Sequence, residues 1–285
     1  MSGAISPLMQ MLAEVEMLKK QIAESDDPVL KESVGSTINA IEAYGKEVYD
    51  EMSQILDEFE TLQSMEDLTE EQRSYLLAQN LDHFQNQMSS HERDSFAKNC
   101  EDDYKGIWES LDGDSQEFLS TARYLSYALR MRGKGNYAPV INEMCRVFEN
   151  ELKKKIFNDY IVQMAQKQVV DMDSSTEAIK KAVNKTRRSQ DYFISDTEMV
   201  CFIEALPKVR NNQSGYLGEL RKFLQSEKWD IQKLSDAQYT QSAHNYIDNY
   251  RNESAHANMM DEKKAESCDK QTRKVIKHFI ESKTK

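Results

Sequence analysis

Tyr137-Ala138-Pro139-Val140-Ile141-Asn142-Glu143-Met144-Cys145-Arg146-Val147-Phe148-Glu149-Asn150-Glu151-Leu152 is the stretch on which the fold class turns. Val140, Ile141, Met144, Val147, Phe148 and Leu152 recur at intervals of three and four, and Ile156 and Tyr160 carry the pattern on. That period belongs to an α-helix with one buried face, opened by Tyr137-Ala138-Pro139. Glu149 and Glu151 sit among the apolar positions. Upstream, Gly133-Lys134-Gly135-Asn136 reads as a flexible loop. Before that loop, Ser115 to Met131 reads as a helix with Phe118, Leu119, Ala122, Leu125 and Leu129 inward.

Downstream the pattern stays helical. Residues 170–191 are polar and predict loop with some helix. Asp196 to Leu206 predicts a short helix ended by Pro207, and Asn211-Asn212-Gln213-Ser214-Gly215 a turn. Leu217 to Leu224 predicts another short helix, and Ser235 to Lys283 one or two final helices.

The whole composition agrees with an all-α protein. The chain has 285 residues but only 9 Gly and 4 Pro, which argues against sandwiches, barrels and parallel-sheet nucleotide folds. It is 39% hydrophobic and 30% charged. The longest apolar run noted, Met199-Val200-Cys201-Phe202-Ile203, is far too short to span a bilayer, so no membrane partner is expected. Met1-Ser2-Gly3-Ala4-Ile5 lacks the basic start and apolar stretch of a secretory signal. Cys100, Cys145, Cys201 and Cys268 show no CxxC spacing, which fits free thiols in a reducing, cytoplasmic setting. The Asn-x-Ser/Thr matches at Asn184, Asn212 and Asn252 are read as chance.

Charge divides the chain. Residues 1–105 hold 8 Lys and Arg against 23 Asp and Glu, while the rest hold 29 against 26. Helical stripes are expected over 5–24, from Pro28 to about Met65, and after the start signal Thr69-Glu70-Glu71-Gln72. This acidic region, 1–105, is assigned to a first domain, an arm or hairpin open to a regulatory protein partner. Residues 106–285 form the second. Ordinary bundle packing and plain solvation of acidic helices explain the same stripes and charges. Only the second part carries enough positive charge to meet a phosphate backbone.

One segment carries chemistry: Tyr250-Arg251-Asn252-Glu253-Ser254-Ala255-His256-Ala257. Histidine serves as acid or base near neutral pH, and arginine presents a planar, permanently charged fork to phosphate oxygens. Together they suit RNA cleavage, in which the 2′-hydroxyl attacks its own neighbouring phosphate without a metal or cofactor. On a regular helix Arg251 is turned about 140° from His256, whereas Asn252 and His256 share a face. A broken turn, the reach of the arginine or a second copy of the motif is therefore needed. One histidine serves poorly as acid and base in one turnover, which favours a symmetric dimer. Structural arginine–histidine pairs at this spacing are common.

The segment resembles the signature of the HEPN superfamily (higher eukaryotes and prokaryotes nucleotide-binding domain). That signature is Arg, then four to six residues, then His, often with a polar residue after the Arg. Tyr137-Ala138-Pro139-Val140-Ile141 with Phe148-Glu149-Asn150-Glu151-Leu152 resembles the family's first conserved helix. The resemblance covers roughly residues 115–285. It implies a four- to five-helix bundle that dimerises and joins two motifs. Its implied activity is metal-independent RNA cleavage in prokaryotic toxin–antitoxin or anti-phage defence systems. By position, Arg251 and His256 would be the catalytic pair, Asn252 a polar helper and Glu149 a supporting acid that pairs with Arg251 or caps a polar network. Some members serve instead as non-catalytic adaptors, which leaves dimerisation and partner binding as the alternative.

Further RNA contacts are expected from Lys270, Arg273, Lys274 and Lys277 near one face of the last helix. Arg187 and Arg188 lie in a basic stretch followed by Tyr192 and Phe193, whose rings suit base stacking. Solvated helix edges explain the same basic residues. His244, Asp248 and His256 match no recognised metal spacing, and no Gly-rich phosphate loop exists.

Overall fold

The Tyr137 stretch folds as expected, into the helix around which the C-terminal part assembles. In the computed structural model, the described residues are 57, 61, 65, 76, 90–132, 135–169, 174–192, 194–209, 214–255 and 259–284. The helices expected over 5–24, 28–65 and beyond Thr69 lie outside them, single positions apart. The described residues are all-α, with no strand among them. They form α1 (Ser90–Asp103), α2 (Gly113–Arg132), α3 (Ala138–Leu152), α4 (Asn158–Gln166), α5 (Glu177–Arg187), α6 (Asp196–Ala205), α7 (Tyr216–Ser226), α8 (Ala237–Tyr246) and α9 (Glu262–Glu281). No helix among them is long and apolar enough to cross a membrane.

The chain divides into two compact units, one of residues 1–95 and 124–136, the other of 96–123 and 137–285. Residues 96–105, grouped by composition with the acidic region, pack into the second unit. Cys100 and Tyr104 are buried there, and the Tyr104 hydroxyl donates to Asp269 Oδ1 at 3.3 Å.

Within that unit α3 is the central element. Pro139 sits in its first turn, where a missing N–H costs nothing. Val140, Ile141, Val147, Phe148 and Leu152 are sealed from water, mainly against α9. The chain continues into α4 through a π-turn, Lys153–Phe157, which keeps Ile156 and Phe157 inward. Burial of such side chains contributes about 1.5–3 kcal/mol each. Glu151 is buried as well, accepting from Asp112 N at 2.8 Å and meeting Lys155 at 3.2 Å.

The polar stretch 170–191 contains α5, an ordered helix. Ile179, Ala182 and Val183 make a narrow apolar stripe that suffices to seat it on α4. The terminal region is two helices, not one. Asp261 stops the break between them, accepting from Lys264 N at 2.8 Å as the cap of α9.

Candidate functional site: an irregular turn carrying Arg251

Helix α8 begins at Asp236, whose carboxylate accepts from the Gln238 and Tyr239 amides. Tyr239, Thr240, Ala243 and Tyr246 form its buried face. The next residues, Ile247–Asn252, widen into a second π-turn before a short helical turn, Glu253–Ala255. One inserted residue turns everything after it by about 100° relative to a continuous α-helix. Tyr246, Ile247 and Tyr250 all face inward. The Tyr246 hydroxyl donates to Met144 O at 3.0 Å and lies 2.8 Å from Thr272 Oγ1. Tyr250 Oη lies 2.7 Å from Ser267 Oγ, and Lys264 pairs with Glu253 at 2.9 Å. The turn is thus fastened to α3 on one side and α9 on the other.

Arg251 projects from this turn with its side chain 24% exposed. Its Nε lies 3.8 Å from Oδ2 of Asp196, whose side chain is only 5% exposed. Asp196 is the first residue of α6, placed there by a reciprocal cap. Ser195 Oγ accepts from Glu198 N, and Glu198 accepts from Ser195 N. The other Asp196 oxygen accepts from Thr197 N at 2.8 Å. Burial pushes the Asp196 carboxyl above the usual carboxylate range, and the charge of Glu149 adds to this, while Arg251 and Lys153 act the opposite way. At 3.8 Å the Arg251–Asp196 contact is an ion pair without a hydrogen bond. Among the described residues nothing accepts from the Arg251 guanidinium.

Glu149 belongs to the same cluster but has a different cation. It pairs with Lys153, one helical turn on, where the first π-turn begins. Among the described residues, the carboxylate facing Arg251 within ion-pair range is that of Asp196. Asn252 donates to Asp248 Oδ1 at 3.2 Å. His256 lies outside the described residues.

The expected RNA contacts separate into two kinds. Lys270 and Lys274 are exposed, as is Lys277, 3.9 Å from Glu281. Arg188 is exposed too. Arg273 instead turns onto Asp269 and Asp103. Arg187 closes the C-terminus of α4, donating to the carbonyls of Met164, Ala165 and Lys167. They are the carbonyls at the end of α4, where the helix dipole favours a cation, so Arg187 there is a structural cap. His244 lies 3.1 Å from Glu204. Among the described residues no three His, Cys, Asp or Glu side chains gather as a metal-binding set.

Asp196 escaped the sequence reading because an acid in a first turn is explained by the helix dipole alone. Only long-range packing brings it to Arg251. Comparison of the chain with protein-family models, curated proteins and solved structures returns no match.

Proposed function

We propose that the chain is a HEPN-like endoribonuclease that cleaves RNA without a metal ion, two protomers joining their Arg251–His256 motifs in one cleft. The supporting observation is the guanidinium of Arg251: part-exposed, oriented by the charge of Asp196, and with no acceptor among the described residues. Its N–H groups are available to the non-bridging oxygens of a phosphodiester, where they stabilise the added negative charge of the transition state. His256 takes or supplies a proton at the 2′-hydroxyl or the leaving 5′-oxygen, and the second protomer's histidine supplies the complementary role. Asn252, tied to Asp248, helps orient this end of the motif. The setting is prokaryotic defence or a toxin–antitoxin pair.

The test compares full-length protein with Arg251→Ala and His256→Ala on RNA in EDTA. Each substitution is expected to slow cleavage by about a hundredfold or more. Equal cutting, or no cutting, by all three proteins would defeat the proposal.

The Asp196 contact also favours a second reading, a non-catalytic adaptor. A carboxylate that is 5% exposed needs a countercharge, and Arg251 supplies one. In that case Arg251→Ala destabilises the fold, and the wild type leaves RNA intact.

A further inference from the structure

A groove of about 610 Å³ opens between the first π-turn and the segment that follows α5. It adjoins the Arg251 cluster through two residues. Lys153 lines it and also pairs with Glu149. Met199 lines it from α6, the helix whose first residue is Asp196. The Tyr192 ring forms part of its wall, and the Tyr192 hydroxyl donates to Asn158 Oδ1 at 3.1 Å, which fixes both side chains. Val162, 47% exposed, is one of the few large apolar side chains left open to water among the described residues. Gln190 contributes an exposed amide.

We infer that this groove is a base-binding subsite, seating one unpaired nucleobase of single-stranded RNA against Tyr192 and Val162, with the strand running past Lys153 to Arg251. The inference rests on the ribonuclease reading and names the form of its substrate. The volume lies in the range of small-molecule sites, enough for a base and too small for a duplex. An aromatic face and an apolar floor suit the base plane, and the Asn158 and Gln190 amides suit the hydrogen-bonding edge. Charge points the same way. Lys153 is opposed in the lining by Asp191, and Asp159 lies close enough to Tyr192 to act on its hydroxyl. Those carboxylates repel a polyphosphate, whereas a neutral base carries no charge for them to repel.

The experiment uses the full chain and a short, fluorescein-labelled, mixed-sequence single-stranded RNA whose 2′-hydroxyls are methylated, so that it binds without being cut. Anisotropy is expected to show about tenfold weaker binding for Tyr192→Ala, the usual scale for losing one stacked base. Val162→Glu, on an exposed position of α4, places a carboxylate in the base's path and should weaken binding comparably. Tyr192→Phe keeps the stacking face and should stay near wild type. Wild-type affinity in both Tyr192→Ala and Val162→Glu, or no RNA binding by the wild type, would overturn the inference. The ribonuclease reading fails separately. Weakened binding in the groove variants, with unmodified RNA left intact by the wild type, would uphold the groove and remove the catalysis.

Discussion

Asp269 and Asp196 are both carboxylates nearly sealed from water, with side chains 8% and 5% exposed, yet they hold their arginines differently. Asp269 is saturated. Arg273 bonds it from the same helix, Arg123 reaches it at 3.4 Å, and Tyr104 donates to it at 3.3 Å. Both arginines also meet Asp103, so two cations and two anions close on themselves. Asp196 has one guanidinium at 3.8 Å and no hydrogen bond from it. The first cluster commits the Nη2 groups of both arginines to structural carboxylates. The second orients a cation and leaves its donors open, which is what a phosphate-binding arginine requires.

The largest effect that sharpens this contrast is on chemistry. Arg251→Ala should lose cleavage by about a hundredfold or more while its urea unfolding free energy stays within about 1 kcal/mol of wild type. A large loss of stability with it would make the two clusters alike. The converse is expected at Asp269. Asp269→Ala leaves two arginines to share Asp103 alone and should cost about 3 kcal/mol, read from the same unfolding curves. Cys100 reports on the same event. Burial pushes its thiol up to about 12, so it is inert to maleimide in the native protein. Faster labelling of Cys100 is expected in Asp269→Ala and not in Arg251→Ala.

A smaller effect concerns pH. The folded-state pKa of Asp196 is raised, so its protonated form favours the fold. Its contribution is fully present below the ordinary aspartate pKa and is lost as pH rises through the raised one. Asp196→Asn keeps the acceptor for Thr197 N and should remove that fall. The variant then gains stability relative to wild type as pH rises to neutrality, and a constant difference across pH would show that Asp196 is not strained. The smallest change is Tyr104→Phe. It removes one acceptor contact of Asp269 and should cost about 1 kcal/mol by denaturant titration, with cleavage unchanged.

Much of the fold could be read from spacing. The α3 stripe identified its own buried face, because period and burial coincide over many residues. α5 was harder to recognise, since three small apolar residues among lysines barely rise above a polar background. The π-turn at Ile247–Asn252 has no local signature. Tyr246, Ile247 and Tyr250 are spaced as on a regular helix, so the inward pattern does not betray the extra residue. Charge type says nothing about direction, as Arg187 and Arg273 show. One caps α4 and the other closes on Asp269. Tyr192 was noted beside basic residues, but the groove around it needs α4, α5 and α6 together.

The most direct test places wild-type protein in EDTA with RNA and with the same strand methylated at every 2′-hydroxyl. The account predicts that the RNA is cut, leaving 2′,3′-cyclic phosphate ends, and that the methylated strand survives. Equal cutting of both strands, or cutting only after a divalent ion is added, would contradict it.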